Sequence, residues 1–165
     1  MKYAKILPIS LIICPYLVFL MPLLIYLFPD SGILITWYMR IYAMIVLIVY
    51  IGNVLLACIL KGETAGAELA AWNLRVKLSL IPFYIVGFVL SFSVMIYAVV
   101  VAFLELILVL VTSSHGISAL IRARKAGKIS TGFALLNGIC HLFFILDVAS
   151  AVIVYRRLKA ERARF

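Results

Sequence analysis

The sequence predicts an all-α fold, a polytopic bundle of transmembrane helices. Three observations carry that reading. Of 165 residues, 67% are hydrophobic and 13% are charged, against about 45–50% and about 25% in a typical soluble domain. The mean hydropathy is +1.26. The charges gather at the ends of apolar runs that are each long enough to cross about 30 Å of hydrocarbon as a helix. A soluble fold of this size needs a polar coat, and six acids with fifteen bases do not supply one. The length allows a single domain, residues 1–165.

The first span is expected over residues 6–28, after Lys2 and Lys5. A signal peptide shares the basic start, but its apolar core is shorter and ends in a small-x-small cleavage site. None is evident here. Leu11-Ile12-Ile13-Cys14 departs from a lipoprotein cleavage box because Ile13 is not small, so the segment reads as a retained span. It carries Pro8, Pro15 and Pro22, with Pro29 closing it. A seven-residue interval turns a helix by about 700°, so these prolines fall near one face. Each interior proline removes a backbone hydrogen bond and bends the helix. They are candidate hinges, or the marks of a curved helix packed against its neighbours.

Pro29-Asp30-Ser31-Gly32 signals a turn. The second span is expected over 34–60, with Trp37, Tyr38 and Tyr42 as an interfacial aromatic belt and Arg40 reaching to the headgroups. The stretch from Lys61 to Lys77 is polar, and Thr64 to Lys77 is expected as a helix lying flat on the membrane surface. From Leu78 to Ile121 the only charge is Glu105. The block suits two spans, 79–96 and 100–121, reversing near Tyr97, although Phe88 to His115 contains no Gly, Pro, Asn or Asp to signal the turn. The alternative is one long helix and four spans in all. A basic loop follows from Arg122 to Lys128, then a last span over 131–155 with Ser130 as its N-cap. Its basic tail is expected to extend into the headgroups. Five spans put the two chain ends on opposite sides, whereas four put both on one side.

The formal net charge of +9 points to anionic lipid headgroups as partner. Nucleic acid is excluded by the absence of a recognition module or of aromatics interleaved in a basic region. A membrane-protein partner or a second copy of the chain is the other partner class. Cys14, Cys58 and Cys140 lie inside apolar runs, with no CxxC spacing, so neither a disulfide framework nor a zinc site is indicated. HExxH, P-loop and GxSxG motifs are absent, and no cofactor is implied.

An ionisable or amide side chain at membrane depth is costly and invites a functional reading. The candidates are Glu105, His141 and Asp147, joined by Asn137, Asn53 and His115 as a polar seam inside the bundle. Thr112 to Gly116 adds a patch of small and polar residues. On one continuous helix His141 and Asp147 point about 120° apart, so they are not expected to pair with each other. The seam either moves protons or ions, or holds a small ligand, or simply packs helices through contacts of about 0.6 kcal/mol each.

The run Trp72-Asn73-Leu74-Arg75-Val76-Lys77-Leu78 with Ile81-Pro82-Phe83-Tyr84, then His115-Gly116-Ile117 and the stretch from His141 through Asp147 to Tyr155, resembles a family of small uncharacterised bacterial membrane proteins over residues 70–159. The resemblance implies a bacterial inner (plasma) membrane and no site residues. With minimal loops and no catalytic constellation, the expected function is a non-enzymatic subunit or accessory of a membrane complex. A small proton, ion or solute transporter component using the seam is the alternative, followed by a lipid-modifying enzyme.

Overall fold

The computed structural model describes residues 3–60, 65–93, 95–141 and 143–162. They form seven α-helices: α1 (Tyr3–Tyr16), α2 (Leu20–Leu27), α3 (Gly32–Ile59), α4 (Ala65–Ser93), α5 (Met95–Lys125), α6 (Thr131–Cys140) and α7 (Phe144–Arg162). A 3-10 turn, Leu17–Phe19, joins α1 to α2. Four segments are long and apolar enough to cross a membrane: Lys5–Leu27, Gly32–Ile59, Ala65–Val89 and Ala102–Lys125. Their outward faces are apolar, as at Ile33, Ile48 and Phe103. Both properties are those of a membrane protein.

The proline spacing acts as its geometry demands. Pro8 and Pro15 are buried beside Leu11 and Cys14, so the proline face of α1 is its packed face. Between Pro15 and Pro22 the helix tightens to 3-10, and the Tyr38 hydroxyl donates to the Leu17 carbonyl there. Helix α3 runs antiparallel to α1 and buries one stripe: Tyr42, Val49, Tyr50, Asn53 and Ala57. Of the expected aromatic belt, Trp37 is exposed under the Arg40 guanidinium at 5.6 Å. Tyr42 is instead a core residue, stacked on Tyr38.

Three expectations are corrected. Residues 65–77 of the expected surface helix and 79–93 of the expected span are one element, α4, while Thr64 lies outside the described residues. Ala65, Leu69, Asn73, Val76, Lys77, Leu80 and Tyr84 form a buried stripe along it. Small residues make this possible, since Gly66 lies against Ala119 and Ala123 of α5. Next, the block from Leu78 to Ile121 divides into the expected pair of helices and not one long helix, with the boundary ahead of Tyr97. Helix α4 ends at Ser93 and α5 starts at Met95, with Tyr97 inside α5. Gly66 opposite Ala123 and Asn73 opposite Gly116 make α4 and α5 an antiparallel hairpin.

Finally, the expected span over 131–155 is two helices. Helix α6 begins at the predicted cap, where Ser130 Oγ accepts from the Phe133 amide. Its 10 residues reach about 15 Å, half a hydrocarbon core. The chain then reverses. Ser150 Oγ donates to the Asn137 carbonyl at 3.1 Å and to Asn137 Oδ1 at 3.0 Å, which ties α7 antiparallel to α6. Further along, Val154 and Leu158 pack with Leu69, Ala70 and Ile129. Helix α7 therefore leaves the bundle at the end where α6 entered, beside the loop after α5. That loop turns through Gly127 at φ 69°, the left-handed region that suits glycine. Within the described residues, the starts of α1, α4 and α6 and the ends of α3, α5 and α7 share this basic end.

Candidate functional site

The tip of the α6–α7 hairpin lies inside the bundle against α4 and α5. His141, fully buried, caps the C-terminus of α6. Asp147, 3% exposed, lies in the first turn of α7, where the helix dipole favours negative charge. The break between them overturns the expectation that they cannot meet. His141 Nδ1 donates to Asp147 Oδ1 at 2.7 Å. Their separation on a continuous helix was real, and the reversal of the chain removes it. The break also frees the His141 carbonyl, which accepts from Ser113 Oγ at 2.6 Å. Irregular backbone at this depth persists only where such partners exist.

Asp147 Oδ1 has a second, charged partner. Lys77 Nζ forms a buried ion pair with it and lies 3.1 Å from His141 Nδ1. Ser113 Oγ reaches the same oxygen at 3.3 Å. One carboxylate oxygen thus collects an ammonium, an imidazole and a hydroxyl, on side chains of α4, α5 and both arms of the hairpin. With Nδ1 donating to the carboxylate, His141 Nε2 presents a lone pair, and it has no hydrogen-bond partner. It rests on Gly116, where an added Cβ would come within 2.5 Å of it and 2.7 Å from Asn73 Nδ2. Asn73 is itself buried with both side-chain polar atoms unpartnered. Gly116 is a close-approach glycine.

The six predicted seam residues separate into three places. His141, Asp147 and Asn137 belong to the hairpin, Asn137 one turn below the tip. Asn53 and His115 form a second contact: His115 Nε2 lies 3.2 Å from the Asn53 carbonyl, and Asn53 Nδ2 donates to the Leu7 and Val49 carbonyls at 2.9 and 2.8 Å. Glu105 joins neither. It is half-buried in the wall of an apolar cavity between α4, α5 and α7. Of the candidate hinges, Pro8 and Pro15 are buried packing residues of α1. Pro22 lies in α2.

Lys77, Asn73 and Ser150 were missed. A base at the border between polar and apolar sequence looks like a headgroup contact. Only the continuity of α4 puts Lys77 near its middle. Ser113 was within the patch from Thr112 to Gly116, without an assigned partner. Among the described residues no group of three or more His, Cys, Asp or Glu side chains gathers to hold a metal, and Cys14, Cys58 and Cys140 are free.

Fold and site together define a class: an apolar helical bundle with an ionic centre buried at the tip of a half-length helical hairpin. Within that class the chain belongs to a family of unknown function, DUF6652, whose model matches residues 2–160. The likeness read over residues 70–159 thus extends over nearly the whole chain. No curated protein and no solved structure matches it.

Proposed function

We propose that the protein is a polytopic protein of a bacterial inner membrane and a small transport component, in which the Lys77–Asp147–His141 cluster exchanges protons during movement of a solute or ion. The observation that carries this reading is the sharing of one buried carboxylate oxygen by two other ionisable groups. Ionisable groups at membrane depth mark ion pathways and proton relays. Helices broken at mid-depth are a recurring way to build such sites. A proton added to Asp147 removes the charge that holds Lys77, so proton transfer and packing at the tip are coupled. The basic end of the bundle, with Arg122, Arg124, Lys125, Lys128, Arg156, Arg157 and Lys159, faces the cytoplasm by the positive-inside rule.

The test is proton flux into liposomes carrying the purified protein and a trapped pH dye. Flux that Asp147→Asn abolishes while the helical content stays intact supports the proposal. Undiminished flux in that variant sinks it.

A second reading, an accessory subunit of a membrane complex, is favoured by the near-complete burial of Lys77, His141 and Asp147. Under it the cluster locks the hairpin and carries no traffic. Purification from native membranes separates the two readings: a stoichiometric partner protein, with no flux from the isolated chain, favours the subunit.

A further inference from the structure

A second polar feature lies further along the same helices. Between α4, α5 and α7 is a cavity of about 670 Å³, within the range of about 300–1,000 Å³ typical of small-ligand sites. Its walls are apolar and aromatic, including Tyr84, Ile85 and Phe88 of α4 with Ile145 and Ala149 of α7. Ile85, Phe88 and Ile145 are largely exposed on the outside of the bundle, so the cavity opens sideways toward lipid. Among the described residues, the one acidic group lining it is Glu105. Glu105 Oε1 is buried and has no hydrogen-bond partner. None of the ion pairs among the described residues involves Glu105, and Lys77 is already engaged by Asp147.

We propose that this cavity binds a lipophilic organic cation, with the apolar walls taking its body and the Glu105 carboxylate its charge. The chemistry is selective on both counts. An unpaired carboxylate charge in an apolar wall is expensive, so a ligand that brings positive charge is favoured over a neutral or anionic one. A small hydrated cation gains little from walls that are mostly apolar, whereas an apolar cation gains both burial and charge pairing. The Tyr84 and Phe88 rings add faces that attract cations. A lipid acyl chain would fill the same walls and leave Glu105 Oε1 without a partner.

The cavity and the ionic cluster share two helices. Ile81, which also lines the cavity, follows Lys77 by one turn of α4. Ile145, Val148 and Ala149 flank Asp147 on α7. Occupation of the cavity therefore presses on the hairpin arm that carries Asp147. As a substrate site the cavity rests on the transport reading above; as a binding site it stands on its own geometry.

The experiment measures equilibrium binding of radiolabelled tetraphenylphosphonium to the full chain in nanodiscs. Tetraphenylborate, an anion of nearly the same shape, controls for partition into lipid. The expected result is saturable binding of the cation alone, weakened about tenfold or more in Glu105→Gln. Ala149→Trp, which fills the cavity and keeps the carboxylate, is expected to abolish it. Variants are compared only where both elute and unfold as the parent does, and Glu105→Asp, with restored though weaker binding, separates charge from folding. Equal binding by Glu105→Gln, or equal saturable binding of tetraphenylborate, overturns the proposal. Cation binding without flux removes the transport reading and leaves this site, whereas Asp147-dependent flux without cation binding does the reverse.

Discussion

The buried ion pair yields a quantitative prediction. Lys77 and Asp147 side chains are 3% and 4% exposed, so each single substitution strands a charge away from water. Breaking a buried pair from one side costs about 3–5 kcal/mol, whereas replacing both partners with neutral residues of similar volume is often neutral or stabilising. The two sides are not equivalent here. Lys77→Met leaves Asp147 with His141 and Ser113, while Asp147→Asn leaves Lys77 facing only a weaker acceptor and an imidazole. Asp147→Asn is therefore expected at the upper end, about 4–5 kcal/mol, and Lys77→Met at about 3 kcal/mol. The double variant is expected within about 1 kcal/mol of the parent, a strongly non-additive result. The assay is unfolding in mixed micelles by titration with a denaturing detergent, followed by circular dichroism at several protein concentrations. Single variants each costing under about 1 kcal/mol, adding up simply in the double, would show that the charges are not buried together. The double variant is also expected to be stable yet silent in the flux assay, which separates the packing role of the pair from its chemical one.

Two further outcomes follow from the same geometry. Gly116→Ala places a methyl group 2.5 Å from His141 Nε2, and His141 is held by Asp147 and cannot simply turn away. The variant is expected to lose about 1–3 kcal/mol in the same unfolding assay; an unchanged midpoint would mean the tip is looser than its contacts indicate. In a background lacking Cys14, Cys58 and Cys140, cysteines introduced at Lys128 and Lys159 are expected to react with an impermeant maleimide from the same side of the membrane, and one at Asp30 from the opposite side. Reaction of the Lys159 and Asp30 positions from a common side would refute the half-length hairpin.

Helical content and the apolar bundle follow from the long hydrophobic runs, because a polar-free segment of that length has few other outcomes. The hairpin does not follow from them. Residues 131–155 form one apolar run of spanning length, and neither Pro nor Gly lies between His141 and Phe143 to announce a reversal. What breaks the helix is tertiary: the counter-ion on α4 and the hydroxyl on α5. No scan along residues 131–155 contains either. The turn between α4 and α5 is hidden for the same reason, since the hairpin is held by Gly66 and Gly116 meeting the opposite helix rather than by turn residues. The polar seam was found as a set of residue types, but its grouping depends on the helical phase relative to neighbours. Asp147 and His141 came together because the helix broke, and Glu105 stood apart because α5 turns it toward α7 and the lipid.

Why residues 131–155 double back has an energetic answer. A fifth span over residues 131–155 would need to carry Asp147 through the bilayer without the partner it has at the tip. It would also bring the bases after Tyr155 to the far side. Charged side chains at a helix centre cost about 2.5–3.5 kcal/mol each on insertion scales. A hairpin avoids both costs: Asp147 descends only to the level of Lys77, and Arg156, Arg157 and Lys159 stay with the basic loop. The hairpin's own cost is a reversed backbone at depth, offset by the Ser113 bond to the His141 carbonyl and the Ser150 bonds to Asn137. The contact that sets the depth of the tip is therefore the one whose charge a proton changes. If Asp147 is neutralised, Lys77 loses its counter-ion and the tip its anchor, so the stability and the flux of Asp147→Asn are two readings of one interaction and belong on the same preparation.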